Sequence, residues 1–349
     1  MSLFVKPEMT AERGEFYQRA SKKGLAPLWE VLAELVPAEP HPRCVPVVWH
    51  YDEVRPYIME SGKLISAEEA ERRVMILENP GLPESRQVTN SLYAGLQLLL
   101  PGEVAPTHRH APSALRFVIE SDGAYTAVDG ERTTMHPGDF IITPSRTFHD
   151  HGNNTDTPTI WMDGLDLPII NYFDAGFAER YPGHREQPVT RDEGDAYSRY
   201  GANLMPLNYE PERATSPIFN YPYSRSRQVL DDLYRRGPLD ACHGVKMQFV
   251  NPATGGYPIP SISTFIQFLP KGFKTAPYRS TDATVFIAIE GRGKSRVGET
   301  PLSWNTRDIF VVPSWNNVVH EAGEDTVLFS FSDRAAQRAL GFWREQSLG

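Results

Sequence analysis

The chain of 349 residues is written twice, and that repeat limits what it can fold into. SLYAGLQLLLPGE at 91–103 aligns with SISTFIQFLPKGF at 261–273 at a shift of 170, pairing Ser91 with Ser261, Gln97 with Gln267, Leu99 with Leu269 and Gly102 with Gly272. The same shift pairs Gly123 with Gly293, and a shift of 169 pairs Asp139 with Asp308, Pro144 with Pro313, Ser145 with Ser314 and His151 with His320. Asn79-Pro80 recurs as Asn251-Pro252 at a shift of 172. An ordered series with drifting offsets is the trace of an old duplication. The 30 prolines and 26 glycines punctuate short β-branched and aromatic runs, the pattern of an all-β chain. Two similar β-barrels are therefore expected.

The first copy carries the chemistry. His108 and His110 alternate along a strand, so both leave one face. Gly123 and Asp129-Gly130 are turns, the second of the kind that closes two-residue hairpins. Gly138-Asp139 opens a strand at Phe140-Ile141-Ile142, Pro144 ends it, and His149 starts the next. A lone H-x-H is a weak signal. A third imidazole from a later strand lets three converge on one metal, and such a set suits zinc or iron. Alternation turns Arg116 inward as well, and His151 shares the face of His149. In the second copy the repeat places Tyr278, Ser280 and Val318 at the three histidine positions. That barrel is expected to be metal-free and structural, since His320 by itself holds no metal.

The net charge of -9 and the pI near 5.6 argue against nucleic acid as a partner. No apolar run reaches the ~18 residues of a membrane span, and the first residues lack a signal-peptide core. Cys44 and Cys242 read as reduced thiols of a cytoplasmic protein. Residues 10–36 read as helical, with Leu28, Val31, Leu32 and Leu35 as an apolar stripe. Further helices are expected at Tyr51–Ile58, from the capping box Ser66-Ala67-Glu68-Glu69 to Arg72 or Arg73, and at about 226–236. The expected organisation is an N-terminal helical arm at 1–73, a catalytic barrel at 74–165 closed by Trp161-Met162-Asp163 and a connection at 166–245. A metal-free barrel at 246–332 and a C-terminal helix at 333–349 complete it. His136, His184 and His243 read as ordinary.

The stretch from Gly102 to Asn153 resembles the two motifs of the cupin superfamily, G-x5-H-x-H-x(3,4)-E-x6-G and G-x5-P-x-G-x2-H-x3-N. Two positions depart from it. Arg116 stands where a glutamate ligand is usual, and Arg146 replaces the glycine of P-x-G, which puts that turn in doubt. Without the glutamate, a divalent ion keeps its full charge and Arg116 adds another, so the pocket favours an anionic ligand.

A double cupin with a helical arm and histidines in one half resembles the gentisate 1,2-dioxygenase family, which includes salicylate and 1-hydroxy-2-naphthoate dioxygenases. The resemblance spans nearly the whole chain. It rests on PLWEVLAELVP at 27–37, WHYDEVRPY at 49–57, RRVMILENPGL at 72–82, THRHAPSALRFVIESDGAY at 107–125 and HPGDFIITPSRTFHDHGN at 136–153. It implies an extradiol-type, ring-cleaving oxidoreductase of aromatic catabolism that holds Fe(II) on His108, His110 and His149. The substrate implied is an aromatic hydroxy-acid, chelated through its carboxylate and ortho-hydroxyl, with O2 as the other reactant. Arg116 and Arg72 match positions that contact the carboxylate, Gln97 matches a pocket amide, and Tyr93 lines the pocket. His151 is the candidate to donate to the reacting oxygen or move protons, with Asp163 orienting it or binding the ring hydroxyl. The family also implies a homotetramer. A zinc cupin isomerase or hydrolase and a non-catalytic ligand-binding double cupin are the competing readings. The first lacks a nearby glutamate placed as a general base; the second does not explain histidines kept in one half only.

Overall fold

The computed structural model describes residues 7–183, 186–210 and 213–348; His184 lies outside the described residues. The chain divides into two compact units, one up to Pro42 and one from Arg43 onward. In the first, the Thr10 hydroxyl accepts from the Arg13 amide and starts helix α1 (Ala11–Ser21). Pro27 stands immediately before α2 (Leu28–Leu35). The Trp29 indole donates to the Tyr17 hydroxyl (2.7 Å), which donates to Glu30 (2.8 Å), tying the two helices together. Leu28, Trp29 and Leu35 stay exposed.

The second unit opens with β1 (Val47–Trp49), α3 (Tyr51–Leu64) and α4 (Ala67–Ala70). The strands β2 (Val74–Ile76), β3 (Tyr93–Leu99), β4 (Val104–His110), β5 (Ala114–Glu120) and β6 (Tyr125–Val128) follow. Then come β7 (Glu131–Thr134), β8 (Phe140–Thr143), β9 (His149–Gly152) and β10 (Thr159–Leu165). Asp129 and Gly130, both at positive φ, make the tight β6–β7 hairpin. The middle of the chain holds α5 (Leu167–Tyr172), β11 (Ala178–Arg180), α6 (Asp195–Tyr200), β12 (Asn220–Tyr221) and α7 (Tyr223–Arg236).

The second copy consists of β13 (Val245–Gln248), β14 (Ser263–Leu269), β15 (Tyr278–Ser280), β16 (Thr284–Glu290) and β17 (Gly293–Val297). It continues with β18 (Thr300–Trp304), β19 (Ile309–Val312), β20 (Val318–Ala322) and β21 (Thr326–Ser332), then α8 (Arg334–Ala339) and β22 (Glu345–Ser347). Each copy makes a six-stranded and a five-stranded sheet. The orders β12-β8-β5-β10-β3-β2 and β1-β19-β16-β21-β14-β13 match position for position, as do β11-β4-β9-β6-β7 and β22-β15-β20-β17-β18. The structure is thus mostly antiparallel sheet, arranged as a double cupin.

The duplication reaches further than the sequence reading placed it. β1 leads the first copy but pairs with β19 of the second, while β12 leads the second and pairs with β8 of the first. Each helix that follows, α3 or α7, begins two residues later and runs 14 residues. Asp308 accepts the Tyr51 amide (2.8 Å) and Asp139 the Tyr223 amide (2.9 Å). Tyr51 and Arg55 bind Glu120, and Tyr223 and Arg227 bind Glu290. Residues 43–73 therefore belong with the barrels rather than with the expected arm, and 214–245, expected as connection, is their counterpart. Hydrophobic periodicity shows a helix but not which sheet receives the strand before it.

Three smaller differences have local causes. The helix capped by Ser66 stops at Ala70, because Glu71 takes φ +56°. Helix α3 continues past Ile58 to Leu64. The expected C-terminal helix is only α8, after which β22 pairs with β15.

Residues of both copies share one core, in which Phe117 stacks on Phe329 with ring centres 4.8 Å apart. Two reciprocal bonds cross between the copies: the Ser91 hydroxyl donates to Asp333 (2.7 Å) and the Ser261 hydroxyl to Asp166. Each carboxylate also accepts one backbone amide, from Ala283 or Ser113. Burial pushes both carboxyls up to about 6. A raised folded-state pKa favours the protonated native form, so the benefit is full below about pH 4 and is lost as pH rises through 6. Asp166→Asn and Asp333→Asn are each expected to gain thermal stability relative to the parent between pH 5 and 7.5. Ser91→Ala, which strips a donor from a buried carboxylate, is expected to lose about 1–3 kcal/mol in urea unfolding.

Candidate metal centre

β4 and β9 are antiparallel neighbours with His108 opposite His149, and His110 lies two residues along on the same face as His108. The three imidazoles offer one nitrogen each, all within 4.8 Å of one another. Their ring centres are 4.4–5.1 Å apart.

Backbone carbonyls set the tautomers. His108 Nδ1 faces the Pro106 carbonyl (3.3 Å), His110 Nδ1 the Pro112 carbonyl (2.8 Å) and His149 Nδ1 the Thr147 carbonyl (3.0 Å). A carbonyl only accepts, so the Nδ1 atoms of His110 and His149 carry the hydrogen and their Nε2 atoms keep a lone pair for a metal, while His108 Nδ1 also meets the Arg72 guanidinium. Burial holds the rings neutral, lowering His108 to about 2, His110 to about 4 and His149 well below the usual histidine value. Neutral, pre-oriented imidazoles fit a divalent transition-metal ion, and no carboxylate belongs to the set.

The doubtful turn is preserved. Arg146 adopts φ +65°, so it fills the glycine-type conformation itself, and its amide donates to the His110 carbonyl at 2.8 Å. Trp315, its counterpart in the second copy, has φ +59°. Asn153 ties the end of β9 back to the Leu99 and Thr157 carbonyls.

The structure sets Arg72 and His151 against the triad and Arg116 beside Asp163, with Tyr93 and Gln97 on the neighbouring strand β3. Arg72 is half-buried; it donates to the Pro106 carbonyl (2.8 Å) and touches His108 Nδ1, so it meets the ligand from behind. Burial, with Arg116 nearby, pulls its pKa down to about 9. Arg116 is 2% exposed, donates to Thr143 (2.5 Å) and has its Nε 3.6 Å from Asp163. Burial lowers its pKa, with Asp163 opposing. Tyr93, Gly95 and Gln97 share one face of β3 by strand alternation. A Cβ at Gly95 would lie 2.4 Å from Val74 and 3.0 Å from the Tyr93 hydroxyl, so only glycine fits. Gln97 is buried and its amide nitrogen has no partner among the described residues.

His151 is fully buried beside His149, with ring centres 5.6 Å apart. Asp163 does not orient it: the Asp163 carboxylate accepts from Trp161 (3.0 Å), and the Trp161 ring packs against His151. Burial pushes Asp163 up to about 6. The partner of His151 Nδ1 is Thr126, at 2.7 Å. This residue was missed, although the signal was present: a shift of 169 pairs Thr126 with Ser295 just as it pairs His151 with His320. The Thr126 hydroxyl also reaches the Asp150 carbonyl (3.4 Å). His151 Nε2 is buried and has no partner among the described residues.

Residues 95–165 match the family model described as the cupin domain. The gentisate 1,2-dioxygenase 1 of Aquipseudomonas alcaligenes is 57% identical over 345 residues, covering 99% of both chains. The 5-aminosalicylate 1,2-dioxygenase of a Comamonas species is 34% identical, covering 95% of this chain and 89% of its own. The crystal structure of salicylate 1,2-dioxygenase from Pseudoaminobacter salicylatoxidans with gentisate superposes at a TM-score of 0.93 with 32% identity, covering 99% of this chain and 96% of the other.

Replacing His108, His110 or His149 by Ala is expected to abolish stoichiometric metal, measured by elemental analysis, because two imidazoles hold it too weakly. His320→Ala is expected to leave metal content unchanged. Full metal occupancy in His149→Ala would remove that residue from the centre.

Proposed function

The chain belongs to the gentisate 1,2-dioxygenase family, and from that premise we propose that it holds Fe(II) on His108, His110 and His149 and converts gentisate and O2 to maleylpyruvate. The bond between the carboxyl-bearing C1 and hydroxyl-bearing C2 breaks, and both oxygen atoms stay in the product. No reductant or leaving group is required. The observation that carries this reading is a centre of three neutral imidazoles with no carboxylate among them and two arginines beside it. Iron bound there supplies the electron transfer that lets O2 react with an aromatic ring.

The side chains divide the remaining work. A cation that keeps its full charge favours a substrate presenting carboxylate and ortho-hydroxyl together. Arg116 and Arg72 attract the carboxylate, and a guanidinium binds it through paired N–H donors. The unpartnered Gln97 amide is free to donate to a substrate oxygen, and Tyr93 lines the same strand face. His151 Nε2 is poised to take a proton from a substrate hydroxyl and return it, its ring held by Thr126. Asp163 steadies Arg116 rather than His151.

Salicylate, a substituted gentisate or 1-hydroxy-2-naphthoate is the second reading, favoured by the match to a salicylate dioxygenase. The exposed apolar residues of α2 support a homo-oligomer, a tetramer by family resemblance. No helix among the described residues is long and apolar enough to cross a membrane, and both cysteines are free. We place the enzyme in the cytoplasm. The deciding experiment loads metal-depleted protein anaerobically with Fe(II) or Zn(II), then adds gentisate and air. Maleylpyruvate absorbance is expected with iron alone; equal activity with zinc would overturn the assignment.

Arg116→Lys keeps the charge but loses the planar fork, and Arg116→Ala loses both. Both are expected to raise KM with metal retained, Ala more than Lys, lowering kcat/KM roughly ten- to hundredfold. A substrate panel tests chelation. Catechol lacks the carboxylate and 3-hydroxybenzoate the ortho-hydroxyl, so neither is expected to be cleaved. Salicylate keeps both groups but lacks the 5-hydroxyl that feeds electrons into the ring; it is expected to inhibit gentisate competitively and turn over slowly. Rapid catechol cleavage would mean that the carboxylate does not position the ring.

A further inference from the structure

The second barrel keeps a cavity where the first holds its histidines. Tyr278, Ser280 and Val318, at the three repeat positions, line it together with Lys246, Gln267 and His320, around a volume of about 30 Å³. A transition metal is not its occupant. Cys242, His243, Asp282 and His320 all border it, but no three of them bring ligand atoms close enough together to hold an ion; among the described residues only the histidine triad of the first barrel does.

Its polar groups are arranged for something else. Gln267 is 1% exposed and its NH2 donates to the His243 carbonyl (2.8 Å), so Oε1 points the other way, buried and without a partner among the described residues. Lys246 stands opposite Gln267 across the β13–β14 ladder. Its ammonium lies over the rings of Phe265 and Phe286, 4.9 and 5.8 Å from their centres, and forms no ion pair among the described residues. The nearby carboxylates are committed elsewhere: Asp282 to Arg334 and Trp343, and Glu345 to the Tyr278 hydroxyl. Burial, with Arg334 adding to it, pulls Lys246 down to about 7, and Asp282, Glu345 and Asp240 oppose the shift.

The tautomer of His320 follows from its neighbours. Trp304 donates to the Ser295 hydroxyl (2.9 Å), so the one hydrogen of Ser295 goes to His320 Nδ1 (2.8 Å). Burial keeps the ring neutral, and its hydrogen therefore sits on Nε2. This makes His320 a donor. The cavity thus combines a cation, a second donor and one unused acceptor.

We propose that the second barrel binds a small oxyanion bearing one hydroxyl, of the bicarbonate class. Lys246 and His320 donate to its charged oxygens, and Gln267 Oε1 accepts its hydroxyl. The duplicated site is then a converted pocket, with the metal replaced by a fixed ammonium and anion.

The test is calorimetric titration of sodium bicarbonate into the metal-loaded enzyme. Formate, which lacks the hydroxyl, and chloride, which is spherical, serve as comparison ions. One bicarbonate per chain is expected, bound at least tenfold more tightly than formate or chloride. Binding is expected to persist in His149→Ala, which excludes the metal of the first barrel as the site. It is expected to disappear in both Lys246→Met and Lys246→Gln and to weaken at least tenfold in Gln267→Leu. Unchanged ring-cleaving activity and melting temperature certify the fold of the Lys246 and Gln267 variants, and an unchanged melting temperature that of His149→Ala. Absence of bicarbonate binding, binding that survives loss of Lys246 in the folded variants, or equal affinity for formate would each overturn the assignment.

Discussion

Each six-stranded sheet is buried on both faces, and the architecture depends on that constraint. β3, β5, β14 and β21 are nearly continuous runs of buried residues, which is what strands covered on two sides require. One face fills its own barrel and the other packs against the second copy. Phe331 approaches Gly164 so closely that a Cβ there would lie 2.9 Å from its ring. Exchange of the leading strands β1 and β12 adds a sixth strand to each sheet from the opposite copy. The two copies cannot separate without exposing these faces and breaking both exchanges.

That rigidity places the metal centre. Its three histidines come from two adjacent strands, each imidazole anchored by a backbone carbonyl within two residues of itself. Local chain geometry therefore sets ligand direction, and the ladder sets the spacing. Behind them, Arg116 and Asp163 face each other across β5 and β10, so the positive charge of the pocket is held by a partner whose own carboxyl is pushed toward neutrality.

Comparison of the barrels separates scaffold from chemistry. The hydroxyl–histidine pair survives in both, as Thr126–His151 and Ser295–His320, although only one barrel has a metal triad. What differs is the neighbour: Trp304 donates to Ser295, whereas the Thr126 hydroxyl reaches the Asp150 carbonyl.

The sequence by itself determined the duplication and the all-β class, and because strand alternation is local it set His108 and His110 on one face. The inward turn of Arg116 followed from the same parity. Tertiary structure alone decided the rest. That 43–73 and 214–245 are counterparts depends on Asp139 and Asp308 capping helices that start 84 and 257 residues away, and no periodicity carries that information. The family resemblance offers Asp163 either as the residue that orients His151 or as one that binds the ring hydroxyl. The fold gave His151 Thr126, because β9 pairs with β6 and sets the two residues opposite each other. Local pattern fixes which way a side chain leaves its strand; only the order of strands in the sheet fixes what it meets.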